Sequence, residues 1–387
     1  MTSHTTLSTV ATAASTETRA TLAYAVLWGV LTVYAVLSSL DFGAGFHYWL
    51  AGLRSDPARD RVRSLTLSYL SPAWETTNVF LVLFIVGMIG FFPASVRIYG
   101  TALLLPLSAA VIVLTLRGAF FAFHHVAPWA DRVLAPVFGL GGLLVPALLV
   151  SFLSSAEDGA IRVTATGAIL VSQRTLWLSP LNIVLALTAM AAAIWLSAVF
   201  LARYAARRHD TEVAVYYRHA AAWGGALTAL FAFTLALVLR AVAPFHFDAL
   251  ASVWPLHLIS GALFAAGFWA VAYGGRRRSG LAIVAALTQY ALVLLVFGLT
   301  RLPWLVYPSL RAADALTPPA TFTALSITII AGMILIAPAL GLFYALFIRP
   351  PRPQQAHTPT ATPTITTPSE PDAHPAPSLP HPVHQPM

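Results

Sequence analysis

Two carboxylic acids set inside apolar sequence are the residues most able to do chemistry. Asp41 follows the run Thr21–Leu40, and Glu75 precedes the run that ends near Pro93. At about 1.5 Å per residue, each run crosses a ~30 Å hydrocarbon core only if its acid lies inside the helix. Between the two, Arg54, Arg59, Arg61 and Arg63 crowd a short connection, which the positive-inside rule assigns to the cytoplasm. Carboxyls at similar depth on adjacent helices suit proton handling. Asp41 is expected near a helix C-terminus and Glu75 in a first turn after Ser71 and Pro72. Opposite dipole ends would then set a proton donor beside an acceptor. The plainer reading has Glu75 satisfying its helix start and Asp41 meeting a loop arginine.

Other polar residues support the pair. Arg117, late in the third apolar run, can reach the cytoplasmic face or pair with either acid. Asn78 shares a helix face with Glu75, and Trp74 has the position of an interfacial anchor. His47, His124, His125, His209, His219, His246 and His257 fall at span ends or in loops, so no haem ligand or metal site is expected in this chain. Cysteine is absent, which excludes disulfides, thiolate metal sites and thiol catalysis. A dinucleotide fingerprint, a P-loop and a nucleophile elbow are also missing.

The elements that position these residues are membrane helices. The chain is 58% hydrophobic and 9% charged, with a mean hydropathy of +0.77, far from a soluble domain. An all-α polytopic protein is expected, with nine spans near Thr21–Leu40 (continuing toward Leu50), Ser71–Pro93, Thr101–Phe123, Val133–Leu153, Leu181–Arg203, Ala220–Val242, Ser252–Tyr273, Gly280–Leu299 and Thr321–Phe347. The net charge of +8 comes from arginines concentrated in connections, which fits orientation better than a nucleic-acid partner. Their bias, about two to one, places the amino terminus outside and the carboxyl terminus in the cytoplasm. Residues 1–19, rich in Ser, Thr and Ala, are expected to be a disordered tail. Residues 20–349 form the transmembrane domain, and 350–387, dominated by Pro, Thr and His, read as a disordered cytoplasmic tail.

The motifs resemble those of subunit II of the cytochrome bd-type quinol oxidases. Ser38-Ser39-Leu40-Asp41-Phe42-Gly43-Ala44-Gly45 follows the family's pattern at the end of its first helix, and Pro72-Ala73-Trp74-Glu75-Thr76-Thr77-Asn78-Val79-Phe80 follows the opening of its second. Arg117-Gly118 matches an RG pair near the close of helix three. Tyr307-Pro308-Ser309-Leu310, Asp314, Pro338 and Tyr344 resemble the final loop and helix. The chain departs from the family at Ser38, where an acid is usual, at Ala122, and at Thr76-Thr77, leaving Asp41 and Glu75 as the matching acids. The resemblance implies a multi-pass subunit of the bacterial inner membrane beside a haem-bearing subunit I. In that complex haems b and d lie in the partner, quinol is the substrate, and oxygen is reduced to water. Lipid, quinone and a small accessory subunit are further partners the family admits. Asp41 and Glu75 would offer cytoplasmic protons, supported by Ser38, Trp74, Asn78 and Arg117. The competing class is a non-redox transporter that couples ion movement to the acidic pair.

Overall fold

The computed structural model describes residues 2–55, 57–123, 128–164, 166–273 and 275–343. The side chains of 2–13, 71–76, 128–130, 275–277, 336–337 and 339–343 lie outside that description. The apolar runs form helices, because only internal hydrogen bonding satisfies the backbone in hydrocarbon. They are α1 (Thr2–Gly52), α2 (Arg59–Phe91), α3 (Pro93–Ala102), α4 (Leu104–Phe123), α5 (Pro128–Leu149) and the short α6 (Ser151–Ser155). A hairpin of β1 (Ile161–Val163) and β2 (Ile169–Val171) precedes α7 (Gln173–Leu178), α8 (Pro180–Arg207) and α9 (Thr211–Val242). Then come α10 (Pro244–Ser252), α11 (Trp254–Tyr273) and α12 (Gly275–Leu299). A second hairpin, β3 (Trp304–Val306) with β4 (Leu310–Arg311), leads to α13 (Ala312–Ala315) and α14 (Pro319–Phe343).

Among the described residues, seven helices are long and apolar enough to cross a membrane, or eight if the bent pair α2–α3 counts as one. The ninth expected run is α14, whose described apolar stretch, Pro319–Leu335, is shorter. The bend of 119° falls at Phe92, where Pro93 disfavours helical backbone in the residue before it. Local chemistry fixes the other starts. Ser179 accepts from the Asn182 amide with Pro180 in the first turn of α8, and Asp210 accepts from the Val213 amide to cap α9. The pairs α8 with α9, α1 with α2 and α11 with α12 pack most extensively.

Helix ends depart from expectation. α1 continues to Gly52 and α2 begins at Arg59, so Asp41 is not near a C-terminus and residue 75 is not in a first turn. A span's apolar length measures the lipid, whereas a helix stops where its backbone finds other partners, here in the short stretch between Leu53 and Ala58. The dipole argument for a donor–acceptor pair therefore fails.

Candidate functional site

Asp41 is buried, and its partner is Arg117 on α4. The Arg117 Nη2 donates to Asp41 Oδ2 at 3.0 Å, with both side chains at most 5% exposed. The Nη1 donates to the Phe138 carbonyl, and the guanidinium lies over the rings of Phe138 (4.4 Å) and Phe42 (4.9 Å). A buried charge is tolerable only with such pairing and hydrogen bonding.

The glycines of the Asp41 segment make room for this arrangement. A Cβ on Gly43 would sit 2.0 Å from the Ala193 carbonyl oxygen of α8, and one on Gly45 would lie 2.9 Å from Arg117 Nη1. Gly43 brings α1 and α8 into backbone contact, while Gly45 leaves space for the guanidinium. Spacing alone shows neither function.

Among the described residues, Asp41 Oδ1 and the Tyr34 hydroxyl are buried without a hydrogen-bond partner. Tyr34, Ser38, Ser39 and Tyr290 bring hydroxyls to a mostly apolar cavity of about 110 Å³ that the neighbours of Asp41 line. Ser39 donates to Tyr290 at 3.1 Å, and Ser38, buried one turn before Asp41, donates to the Ala35 carbonyl at 3.2 Å. Ser38 thus lies in the Asp41 environment. Asn78 is half-buried on α2. Trp74 and Glu75 ride the interior of α2, but their side chains lie outside the described residues.

A polar rim closes one end of the bundle. Arg63 pairs with Asp131 at 2.6 Å, and Tyr48 donates to Asp131 at 2.6 Å. Helical rise puts Asp41 about 10 Å from Tyr48 along α1, well inside the bundle rather than at its boundary. His47, assigned to a span end by sequence, is buried within α1, where Nε2 meets the Ile194 carbonyl at 3.2 Å and the ring meets the edge of Tyr217.

The opposite end holds a cluster that sequence reasoning missed. Glu157, after α6, pairs through Oε2 with His246 Nδ1 at 2.6 Å and through Oε1 with Arg301 Nε at 2.8 Å. All three side chains are at most 6% exposed. His246 Nε2 also meets the Phe297 carbonyl at 3.0 Å. Burial is the largest single influence and opposes the Arg301 charge, but the Glu157 carboxylate together with the Tyr24 and Tyr99 hydroxyls outweighs it, so the guanidinium pKa is raised above its usual value. Arg301 therefore serves this cluster rather than a solvated loop, which removes it as an orientation marker. The adjacent charges Glu157-Asp158 between two apolar runs were the available signal, but nothing in the sequence shows that three distant connections converge.

A family model described as cytochrome bd terminal oxidase subunit II matches residues 19–347. The chain belongs to that family. A Bacillus subtilis (strain 168) protein named "Putative cytochrome bd menaquinol oxidase subunit II" is 29% identical over 344 residues, covering 87% of this chain and 97% of its own length. The solved bd oxidase of Geobacillus thermodenitrificans contains a chain with 34% identity and a TM-score of 0.73, covering 86% of this chain and 99% of that one. As a cytochrome bd subunit II family member with this many apolar helices, the chain is a multi-pass protein of the bacterial inner membrane.

Proposed function

We propose that this chain is the second subunit of a quinol:oxygen oxidoreductase, packed beside a haem-bearing subunit I whose assembly it supports. Haems b and d in that partner would supply the electron transfer and oxygen reduction. This chain's own residues cover the partner with apolar surface and deliver protons from the arginine-rich, cytoplasmic end through Asp41, with Glu75 as the second acid. Ser38, Trp74, Asn78 and Arg117 support the pair. Family membership favours this reading over an ion-coupled transporter.

The observation behind proton delivery is the Asp41 site itself. One carboxylate oxygen is held by Arg117, while the other has no partner among the described residues, and the flanking residues Ser38, Ser39 and Phe42 line a mostly apolar cavity. Unsatisfied buried polar atoms are rare, and ionisable groups inside a span are expensive and usually functional, so the free oxygen is read as a place for a proton. The test is oxygen consumption per haem in the purified complex carrying Asp41→Asn or Glu75→Gln. Slowed turnover with haem content intact is expected, by at least the ~10²-fold typical of losing a proton-transfer group. Unchanged turnover in both variants would reduce the chain to a scaffold.

A further inference from the structure

At the arginine-rich end, the last turns of α8 and α11 and the first turns of α9 and α12 enclose a cavity of about 180 Å³ that the oxidase reading does not use. Its floor is small and apolar, built from residues such as Val199, Ala202, Ala214 and Ala282. Its mouth is cationic. Arg218 lines it and donates from Nε and Nη2 to the Val271 and Ala272 carbonyls, at 2.9 and 2.8 Å, closing the end of α11. Arg203 reaches Ser279 of the lining at 3.4 Å, bringing a second guanidinium to the rim. Among the described residues, no carboxylate lines the cavity. The nearest acids are engaged elsewhere, Asp210 as the cap of α9 and Glu212 with Arg61.

Exposed aromatic rings also stand at this end. Trp269 (47% exposed) and Tyr273 (76%) project from the last turns of α11, next to the lining residues Ala270 and Val271, and such rings commonly sit at the headgroup level of a bilayer. Arg278 stacks over Trp269 at 4.4 Å, adding a further cation at that level. An apolar pocket capped by two arginines at headgroup depth matches an anionic amphiphile in both charge and shape.

We infer that this cavity is a binding site for an anionic phospholipid, with its phosphate between Arg203 and Arg218 and the start of one acyl chain on the Ala/Val floor. The lipid would add to the hydrogen bonds by which Arg203 and Arg218 already tie α8 and α9 to α11 and α12 at this end. A neutral lipid lacks the charge that the arginines select, and free phosphate lacks the chain that fills the floor.

The test uses the full-length chain in its purified, delipidated complex. Phosphatidylglycerol, phosphatidylcholine or inorganic phosphate is added at matched concentration, with retained lipid read by native mass spectrometry and the melting temperature by fluorescence. Phosphatidylglycerol is expected to be retained and to raise the melting temperature, and the other two are not. Arg203→Gln should weaken retention about fivefold and the double variant with Arg218→Gln about 25-fold, from roughly 1 kcal/mol per cation. Because Arg218 also closes α11, Val215→Trp provides a separate variant that fills the cavity from its exposed rim while keeping both arginines. It should lose phosphatidylglycerol and keep turnover per haem. Equal retention of the neutral lipid, reproduction of the shift by inorganic phosphate, or undiminished retention in Val215→Trp would each overturn the assignment.

Discussion

Asp41 and Arg117 neutralise each other in the bundle interior, so changing one alone has a structural cost as well as a functional one. Asp41→Asn leaves the guanidinium without its counter-charge, and a loss of about 3–5 kcal/mol is expected from the unfolding temperature of the complex. Replacing both, as Asp41→Leu with Arg117→Met, should recover most of that stability while turnover stays low. Recovery of both would mean that the pair only holds helices together. Glu157→Gln should cost a similar amount, because it strands Arg301 and His246 in a buried site. Its neighbour Asp158 offers a pH test. Burial pushes that carboxyl above its ordinary range, against hydrogen bonds from Ser179 Oγ and the Ala160 amide. A raised folded pKa gives stability that is whole below the unfolded value of about 3.9 and is lost as pH rises through the folded one. The advantage of Asp158→Asn over the parent in melting temperature should therefore grow from pH 4 to pH 7.

The helices themselves were largely legible, since each of the nine apolar runs contains one. Their ends were not, because hydropathy measures the lipid and says nothing of how far a helix extends beyond it. The partner of Asp41 was readable only as a choice. Arg117 stood out as a charge in an apolar run, but which acid it faces depends on how α1, α4 and α5 are rotated about their axes. The Glu157 cluster depends on contacts between connections separated by most of the chain, which periodicity does not encode. Glycine was the signal not taken up. Gly43→Ala should force α1 from the Ala193 carbonyl of α8, at about 1–3 kcal/mol of overpacking strain, measurable as a lower melting temperature. Gly45→Ala should act on Arg117 instead and lower turnover more than stability.

Across the whole molecule, α1 links the two polar ends without a break. Tyr48 belongs to the Arg63–Asp131 rim, while Trp28 lies under the Arg301 guanidinium at 5.7 Å and donates to the Leu294 carbonyl at 2.7 Å. Helical rise separates the two rings by about 30 Å, the thickness of a typical hydrocarbon core. The bundle thus carries a fixed ruler for the bilayer around it. Longer acyl chains would have to compress or would draw a charged rim into oil, and shorter ones would leave apolar surface in water or tip the helices. Reconstitution in lipids of graded tail length should give a single optimum in turnover per haem, with losses on either side from hydrophobic mismatch alone.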